Sequence, residues 1–293
     1  MTKNLRSVVV GLSGGLGNQM FQYAAGRALS LRLGCDLALD LSWFEGRRDR
    51  HYALAPFEIH CQIRSSGRWL PQVFQKYATR LSRRWAPVRM GVPVFREPHF
   101  HFSSTYEALV SAVFLEGYWQ SEKYFETFKV ALRNDFNLKG EVPSSCVNLL
   151  SMIRSSEAIC VHVRRGDYLT NPVSARTHGI CSVEYYQRAV QTLIHDLKQP
   201  HCFIFSDDPA WARCHLIFDC RTTVVDTNST TDVHWDLFLM MACKHFVIAN
   251  SSLSWWGAWL ASAPGKKVIA PDRWFLDPRK RTHDLIPLDW RRL

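Results

Sequence analysis

The sequence predicts an α/β chain with two domains, each built around a parallel sheet. A strand, a glycine-rich loop, a helix and a second strand follow one another over residues 7–41. A second alternating series of apolar strand and helix patterns covers residues 158–270. The stretch between them, Lys139–Ser145, has the composition of a linker. Alternation of this kind is typical of parallel sheets covered by helices, so we expect domains at residues 1–140 and 141–293.

The totals describe a globular chain. Its 293 residues are 47% hydrophobic and 21% charged, and no apolar run approaches the roughly 20 residues of a membrane span. Residues 1–6 are followed at once by a strand pattern rather than by a signal-peptide core, so we expect a cytoplasmic protein. The nine cysteines include no Cys-x-x-Cys pair, which favours reduced thiols in the core over a disulfide framework or zinc site.

The first βαβ unit contains a candidate binding loop. We predict a strand over 7–12, a helix over 19–33 and a second strand over 35–41, with Ser-Gly-Gly-Leu-Gly-Asn-Gln (13–19) between the first two. The loop is not a dinucleotide fingerprint, because Met20 stands where the third glycine belongs, and it lacks the lysine of a P-loop. Glycines still let the backbone approach a ligand, and a helix start offers free N–H groups. Asn18 either caps the helix or points its amide at the ligand, and a plain tight turn is an equally good interpretation.

Residues 43–106 are irregular, aromatic and basic. From Gln62 to Arg96 no acidic residue occurs, while aromatic residues alternate with the cations Arg64, Arg68, Lys76, Arg80, Arg83, Arg84, Arg89 and Arg96. We favour a solvated basic face over an aromatic stripe. The alternative is an amphipathic helix that binds an anionic membrane or another polyanion through residues 64–96. No nucleic-acid-binding signature accompanies it. A strand that runs into a loop is expected over 114–120, followed by a helix over 121–136.

Three strands of the second series end in polar residues. They are followed by Arg164-Arg165-Gly166-Asp167, Ser206-Asp207-Asp208 and Asn250-Ser251-Ser252. The carboxyl ends of parallel strands share one edge of the sheet, where open α/β sheets bind ligands. Arginine suits phosphate oxygens, and an aspartate accepts from the N1–H and N2–H groups of guanine, so together they predict a guanine nucleotide site. Each motif alone has a simpler reading, as a surface ion pair with Asp167 or as helix caps at Asp208 and Ser252. The chain has no Asp-x-Asp, and we expect no metal.

Other elements of this half follow the same patterns. We predict a helix over 182–197 capped by Ser182, and helices over 231–243 and 253–262. Short strands are predicted at 158–163, 201–205, 222–225, 245–249 and 267–270. Trp255 and Trp259 are four residues apart and are expected to pack between helix and sheet, whereas Trp256 points elsewhere and is a candidate sugar contact.

The motifs at 14–23 (Gly-Gly-Leu-Gly-Asn-Gln-Met-Phe-Gln-Tyr), 162–168 (His-Val-Arg-Arg-Gly-Asp-Tyr) and 249–259 (Ala-Asn-Ser-Ser-Leu-Ser-Trp-Trp-Gly-Ala-Trp) together resemble the bacterial α-1,2-fucosyltransferases of the glycosyltransferase family 11 type. The Arg-Arg-Gly-Asp element is shared with α-1,6- and protein O-fucosyltransferases. The resemblance implies a GT-B-like fold in which two Rossmann-like domains face a donor/acceptor cleft. It also implies GDP-β-L-fucose as donor, no metal, and inverting transfer to a galactose 2-hydroxyl, with the acceptor on the N-terminal side.

The resemblance also assigns roles to residues of this chain. Arg165 corresponds to an arginine that contacts the β-phosphate, His162 and Asp208 to residues that hold guanine, and Asn18 to a donor-site asparagine. Ser251 and Ser252 correspond to serines near phosphate. The expected donor-binding set is Gly15, Gly17, Asn18, His162, Arg164, Arg165, Asp207, Asp208, Asn250, Ser251 and Ser252. The expected catalytic residues are Arg165 and Asp167.

The role of Asp167 has two interpretations. An inverting transfer benefits from a general base, and Asp167 is the nearest carboxylate of the motif. A tight pair with Arg165 lowers the pKa of such a carboxyl group and makes it a poor base, so Asp167 is equally well explained as a residue that orients the arginines. Two other functions stay open: a fucosyltransferase of another linkage, such as α-1,6, and a GDP-sugar- or polyanion-binding module without catalysis. A lipid-linked oligosaccharide acceptor and peripheral membrane contact are compatible with the transferase.

Overall fold

The computed structural model describes residues 7–64, 88–89, 92–166, 172–226 and 232–293. The chain divides into two compact units, Met1–Asn137 and Leu138–Leu293. Each unit contains one sheet of six described strands covered by helices. The assignment of acceptor and donor roles to the two predicted domains stays a prediction.

The N-terminal unit has the strand order β3-β2-β1-β6-β5-β4. Neighbouring strands are parallel, except for the antiparallel hairpin of β4 and β5. The strands are β1 (Ser7–Gly11), β2 (Asp36–Asp40), β3 (Gln62–Arg64), β4 (Val88–Arg89), β5 (Val92–Arg96) and β6 (Val113–Glu116). Its helices are α1 (Leu16–Leu33) and α2 (Lys129–Asp135), with 3-10 turns at Ser42–Phe44, Ser104–Tyr106, Glu122–Tyr124 and Glu126–Phe128.

The centre of this unit is the contact between β1 and α1. Strand β1 is hydrogen-bonded on both sides and its three valines are fully buried, which explains why its sequence is a continuous apolar run. A Cβ on Gly26 would lie 2.2 Å from a methyl carbon of Val10, so glycine is needed for α1 to lie this close to the strand. The helix ends at Gly34, which adopts the left-handed conformation at φ 60°.

Two predicted features of this unit are wrong. Strand β5 forms within the segment that was expected to be irregular, and Pro93 is accommodated because it lies on the short hairpin with β4. The helix expected over 121–136 is instead two 3-10 turns followed by the seven-residue helix α2. Phe125, with φ −149°, separates the two turns, and its buried ring packs against Phe21. Tertiary packing of the aromatic side chains therefore overrides the local helical preference.

The C-terminal unit has the strand order β12-β11-β10-β7-β8-β9, and every paired strand is parallel. The strands are β7 (Glu157–Val163), β8 (Pro200–Ser206), β9 (Arg221–Val225), β10 (His245–Val247), β11 (Val268–Ala270) and β12 (Arg291–Arg292). The helices are α3 (Ser144–Arg154), α4 (Pro172–His178), α5 (Val183–Ile194), α6 (Pro209–His215), α7 (Val233–Met241) and α8 (Ser252–Leu260). The predicted cap is confirmed, because the Ser182 hydroxyl accepts the backbone N–H of Tyr185 at 3.2 Å.

The core of this unit lies on both faces of its sheet. On one face, Ile159, Val161 and Val163 of β7 pack against Tyr186 and Val190 of α5. The other helices include α7, which packs against α3 and α8. None of the helices that the structure describes is long and apolar enough to cross a membrane.

The tryptophans of α8 are all part of the core. Trp255 and Trp259 are buried and their rings are stacked with centroids 5.9 Å apart, as predicted for core residues. Trp256 is also fully buried, 5.1 Å from Trp255 and 5.2 Å from Trp259, so its predicted role as a sugar contact is wrong. Helix α8 is buried on every side from Ser254 to Leu260, and helical spacing therefore does not identify a solvent-facing tryptophan.

The cysteines and the described arginines of the basic segment have defined environments. All nine cysteines are free thiols, and Cys160, Cys202 and Cys243 are buried as predicted.

Most of the predicted segment 64–96, from residue 65 to residue 87, lies outside the described residues. Within its described part, Arg89 pairs with the buried Asp40 at 2.7 Å and Arg96 with Glu116 at 2.9 Å. These two cations therefore have partners within the protein.

Candidate functional site

The site in the C-terminal unit lies where the strand order reverses. From β7 the chain adds β8 and β9 on one side, and then returns to place β10 on the other side of β7. Val163 is opposite Ser206, and Val247 is opposite Val161. The three polar strand ends therefore meet at one edge of the sheet, as predicted. In doubly wound sheets this is the position where ligands bind.

Asp207 organises the loop that follows β7. Its two carboxylate oxygens accept the backbone N–H groups of Arg165 at 2.8 Å and Gly166 at 3.0 Å. The Arg164 guanidinium lies 3.2 Å from one of the same oxygens. Charge-assisted bonds of this kind fix the path of the backbone, so Asp207 positions Arg164 and Arg165. Its predicted direct contact with the donor stays a prediction.

Arg165 is held flat against an aromatic side chain. Its guanidinium carbon lies 3.7 Å from the centre of the Trp211 ring, and its Nε is 3.7 Å from an Asp208 oxygen, which is too long for a hydrogen bond. That Nε is buried and has no hydrogen-bond partner in the described part of the chain. The Trp211 ring also stacks on His215 with centroids 4.9 Å apart. The arginine is thus oriented by stacking while it keeps hydrogen-bonding capacity for an anion.

Asp208 begins helix α6 and thereby places Trp211. Its carboxylate accepts the backbone N–H of Trp211 at 3.1 Å, which is the helix-cap role weighed for this residue. Its other oxygen is the one nearest Arg165. The guanine contact expected of Asp208 stays a prediction, and Trp211 is a site residue that the sequence interpretation missed.

His162 is a neutral imidazole at the end of β7. It is 4% exposed, and its Nδ1 is buried without a hydrogen-bond partner among the described residues. Burial, together with the positive charge of Arg164, lowers the pKa of His162 to about 3. A neutral imidazole offers one donor and one acceptor, so this side chain is suited to an uncharged polar group rather than to phosphate.

After β10, the side chain of Asn250 makes structural hydrogen bonds, and helix α8 begins at Ser251 and Ser252. Asn250 is buried and its side-chain N–H group faces backbone carbonyls of His178 at 2.9 Å and Trp274 at 3.3 Å. These bonds tie the end of α4 and the segment at 274 to the sheet edge. Ser251 is the N-cap of α8 but makes no side-chain capping bond, and Ser252 is the first residue of that helix. The serines are therefore placed at a helix start, which favours anions.

Asp167, the predicted base, lies outside the described residues. Among the side chains that the structure does describe, no group of three or more His, Cys, Asp and Glu residues is arranged to hold a metal ion. Metal independence stays a prediction.

The glycine loop of the N-terminal unit is also at a reversal of strand order, because β2 and β6 flank β1. Gly14 has φ 76°, and Gly15 is the N-cap of α1 with ordinary backbone angles. Gly17 and Asn18 lie in the first turn of α1, so the predicted cap at Asn18 is wrong. A Cβ on Gly15 would meet no atom within 4 Å, whereas one on Gly14 would lie 2.7 Å from Nδ2 of Asn18.

Hydrogen bonds of three side chains hold the glycine loop in place: those of the buried Gln19 and Gln22, and that of the half-buried Asn18. Gln22 accepts the backbone N–H of Ser13 at 2.9 Å and donates to the Gly117 carbonyl at 3.1 Å. Gln19 donates to the carbonyls of Gly14 at 3.0 Å and His51 at 2.9 Å. The Asn18 side-chain oxygen accepts from Gln120 at 2.8 Å. Three of these partners, His51, Gly117 and Gln120, are distant in sequence, so the spacing within the motif gave no signal for them.

Comparison with known proteins identifies the family of this chain. Residues 2–292 match the family model described as glycosyl transferase family 11. An alpha-1,2-colitosyltransferase of Escherichia coli is 32% identical, with 98% of each chain covered. The O-antigen biosynthesis glycosyltransferase WbnK of Escherichia coli is 28% identical over 92% of this chain and 95% of that protein. A galactoside 2-alpha-L-fucosyltransferase (SEC1) of Bos taurus is 26% identical over 86% of this chain and 64% of that protein.

Solved structures share the fold at low sequence identity. The fucosyltransferase NodZ from Bradyrhizobium has a TM-score of 0.51 and 12% identity, covering 87% of this chain and 93% of that one. A variant of Arabidopsis thaliana FUT1 in complex with GDP has a TM-score of 0.50 and 10% identity, covering 97% of this chain and 75% of that one. The predicted α/β fold of the GT-B-like type, with two Rossmann-like units, is therefore confirmed. The chain belongs to glycosyltransferase family 11.

Proposed function

We propose that this glycosyltransferase transfers L-fucose from GDP-β-L-fucose to the 2-hydroxyl of a terminal β-galactoside, with inversion and without a metal, to form an α-1,2 linkage. The observation that carries the proposal is Arg165. Its guanidinium is stacked on Trp211 at the reversal point of the sheet, and its buried Nε has no partner in the described part of the chain. A cation held in this way is suited to a diphosphate leaving group.

The neighbouring residues support a nucleotide with a charged and an uncharged end. The start of α8 at Ser251 and Ser252 adds a partial positive charge at the same edge of the sheet. The neutral His162 offers its Nδ1 to a base rather than to an anion. A nucleoside diphosphate such as GDP fits both features, and the FUT1 variant of Arabidopsis thaliana was solved in complex with GDP.

The proposed reaction is a single inverting displacement. The acceptor oxygen attacks the anomeric carbon from the face opposite GDP while the bond to the β-phosphate oxygen breaks. Arg165 and the α8 start stabilise the charge that develops on the departing diphosphate. The acceptor proton passes to a base, for which Asp167 stays our candidate, or to solvent if the transition state has strong oxocarbenium character.

A second donor is favoured by one specific observation. The relative at 32% identity is named as an α-1,2-colitosyltransferase. Colitose is fucose without its 3-hydroxyl, so the same nucleotide site and linkage are compatible with GDP-colitose. The relatives' names, which include an O-antigen glycosyltransferase and a galactoside 2-alpha-L-fucosyltransferase, support an oligosaccharide acceptor and a 2-linkage for either donor.

A release assay for GDP tests the proposal. GDP-fucose and GDP-colitose are each incubated with lactose, N-acetyllactosamine or a Galβ1,3-linked disaccharide, with and without EDTA. We expect acceptor-dependent GDP release that EDTA does not change, and an α-1,2 product by NMR. An α-1,6 or other linkage in the product would replace our assignment by another fucosyl linkage. Binding of GDP-fucose without turnover on any acceptor would support the non-catalytic module instead.

We also propose a cytoplasmic protein, with peripheral membrane contact through residues 64–96 kept as the alternative to a solvated basic face. The support is the basic composition of that segment, although Arg89 and Arg96 are paired within the protein. Co-sedimentation with anionic vesicles at low salt, lost at high salt, is the expected result. Failure to sediment with such vesicles at low salt would contradict it.

A further inference from the structure

Glu97 is a half-buried carboxylate that the predicted site does not include. It follows β5 at the carboxyl edge of the N-terminal sheet, and its backbone N–H continues the ladder to the Glu116 carbonyl at 2.9 Å. Its Oε2 accepts the backbone N–H groups of Tyr118 at 2.8 Å and Trp119 at 3.1 Å. Burial raises the pKa of Glu97 to about 7, while the N–H groups of Trp119 and Tyr118 and the Tyr124 hydroxyl oppose that rise. The carboxylate therefore binds the loop that follows β6, residues 117–120.

The backbone of this loop is strained. Trp119 has φ 58°, the one positive value outside glycine in the described part of the chain, and a bulky residue in the left-handed region costs about 1–2 kcal/mol. The ring of Trp119 is fully buried against Phe95 and Tyr106. A Cβ on Gly117 would lie 2.5 Å from the Glu97 Cβ, so glycine is required for the carboxylate to reach these amides. Strain of this kind persists only where the surroundings hold it.

The strained loop touches the glycine loop at two points. Gln120, which is 6% exposed, donates to the Asn18 side-chain oxygen at 2.8 Å. The Gly117 carbonyl accepts from Gln22, whose oxygen in turn binds the N–H of Ser13. The backbone between Gly117 and Gln120 is therefore connected by hydrogen bonds to both ends of residues 13–18.

We propose that Glu97 is a positioning residue, which holds residues 117–120 in the conformation that sets Asn18 and the glycine loop for the donor. The inference rests on the proposed function in one respect, namely that the glycine loop faces the nucleotide sugar. Glu97 acts through Gln120 and Asn18 and does not itself need to touch substrate.

A double-mutant cycle tests the inference. Glu97→Ala, Gln120→Ala and the double variant are compared with wild type for the KM of GDP-fucose and for kcat. Glu107→Gln, an exposed carboxylate change in the same unit, is the control. We expect Glu97→Ala to raise the KM about tenfold with a smaller change in kcat, and the double variant to be no worse than Glu97→Ala. Glu97→Gln keeps one acceptor oxygen and should lie between wild type and Glu97→Ala. Unchanged KM values, or single effects that multiply in the double variant, would overturn the proposal.

Hydrogen exchange separates this inference from the proposed function. In Glu97→Ala, the amides of both 117–120 and 13–18 should lose protection, whereas Glu107→Gln should leave both segments unchanged. If Glu97→Ala does not fold, Glu97→Gln and Gln120→Ala carry the same comparison. Loss of protection confined to 117–120 would refute the positioning role whether or not the enzyme uses GDP-fucose. Absence of turnover in wild type, with coupled exchange intact, would count against the proposed donor, while the coupling of residues 117–120 to the glycine loop would stay supported.

Discussion

The paired substitutions Gly15→Ala and Gly14→Ala distinguish a glycine needed for a ligand from one needed for the fold. At Gly15 the backbone angles, φ −83° and ψ 178°, suit alanine, and a Cβ there would meet no protein atom within 4 Å. Alanine is a poorer N-cap than glycine. It also lowers the conformational entropy of the unfolded chain, which stabilises the folded state by about 0.4–1 kcal/mol. We therefore expect the stability of Gly15→Ala to stay within about 1 kcal/mol of wild type.

The effect of the same methyl group on the donor should be larger. If the nucleotide sugar lies against the glycine backbone, a methyl in that contact costs about 1–3 kcal/mol, which corresponds to about 5- to 150-fold in KM. Gly14→Ala differs, because φ 76° alone costs about 1–2 kcal/mol and the new Cβ would displace the Asn18 amide. It should therefore lose stability as well as donor affinity.

Urea unfolding and steady-state kinetics with GDP-fucose measure both quantities on the same preparations. A Gly15→Ala enzyme that is as stable as wild type and has an unchanged KM would refute the placement of the glycine loop against the donor. A stability loss in Gly15→Ala comparable to that in Gly14→Ala would refute the steric argument instead.

Three further predictions concern the C-terminal unit. Arg165→Ala should lower kcat by about 100-fold or more with the fold retained, and near-wild-type turnover of GDP-fucose would contradict its role at the leaving group. Trp211→Leu removes a stacking contact worth about 0.5–2 kcal/mol and should lower kcat/KM by about 2- to 30-fold, measured by GDP release; an unchanged value would show that Arg165 does not depend on the indole. Burial lowers the pKa of His162 from 6.5 to about 3. The free energy of unfolding is therefore highest above pH 6.5, and it falls at lower pH because the unfolded chain binds a proton that the folded chain does not. Wild type should therefore lose about 2 kcal/mol more than His162→Gln between pH 7 and pH 5 in urea unfolding, and equal losses would contradict the buried neutral state.

The alternation of strands and helices was predictable because it depends on local patterns. The valines of β1 and the apolar residues of β7 form short continuous runs, and such runs are required where a strand is paired on both sides. The shared edge of the three polar strand ends followed from the parallel sheet alone. The prediction failed where packing decides, as at Phe125, which interrupts a helix, and at Trp256, which lies in a helix buried on all sides.

The roles of individual site residues were harder to predict for a different reason. The contacts between Asp207 and the loop after β7 join residues 41 and 42 positions apart in sequence, and Gln120 is 102 positions from Asn18. No spacing rule within a motif encodes such pairs. The stack of Arg165 on Trp211 likewise requires β7 and β8 to be neighbours with the observed register, which the sequence alone left open.

The polar residues at the strand ends of the C-terminal unit form two groups, which differ in their hydrogen-bond partners. Asp207 and Asn250 direct theirs to backbone groups, and such residues shape a site without needing a ligand. His162 and Arg165 instead bury a nitrogen that has no partner among the described residues. An unsatisfied buried polar group costs about 1–3 kcal/mol, so these two nitrogens destabilise the fold unless a bound group satisfies them. This difference makes His162 and Arg165 our first candidates for contacts with the proposed nucleotide. Asp207 holds the backbone of Arg165, whereas Asn250 ties the backbone at His178 and Trp274 to the sheet edge.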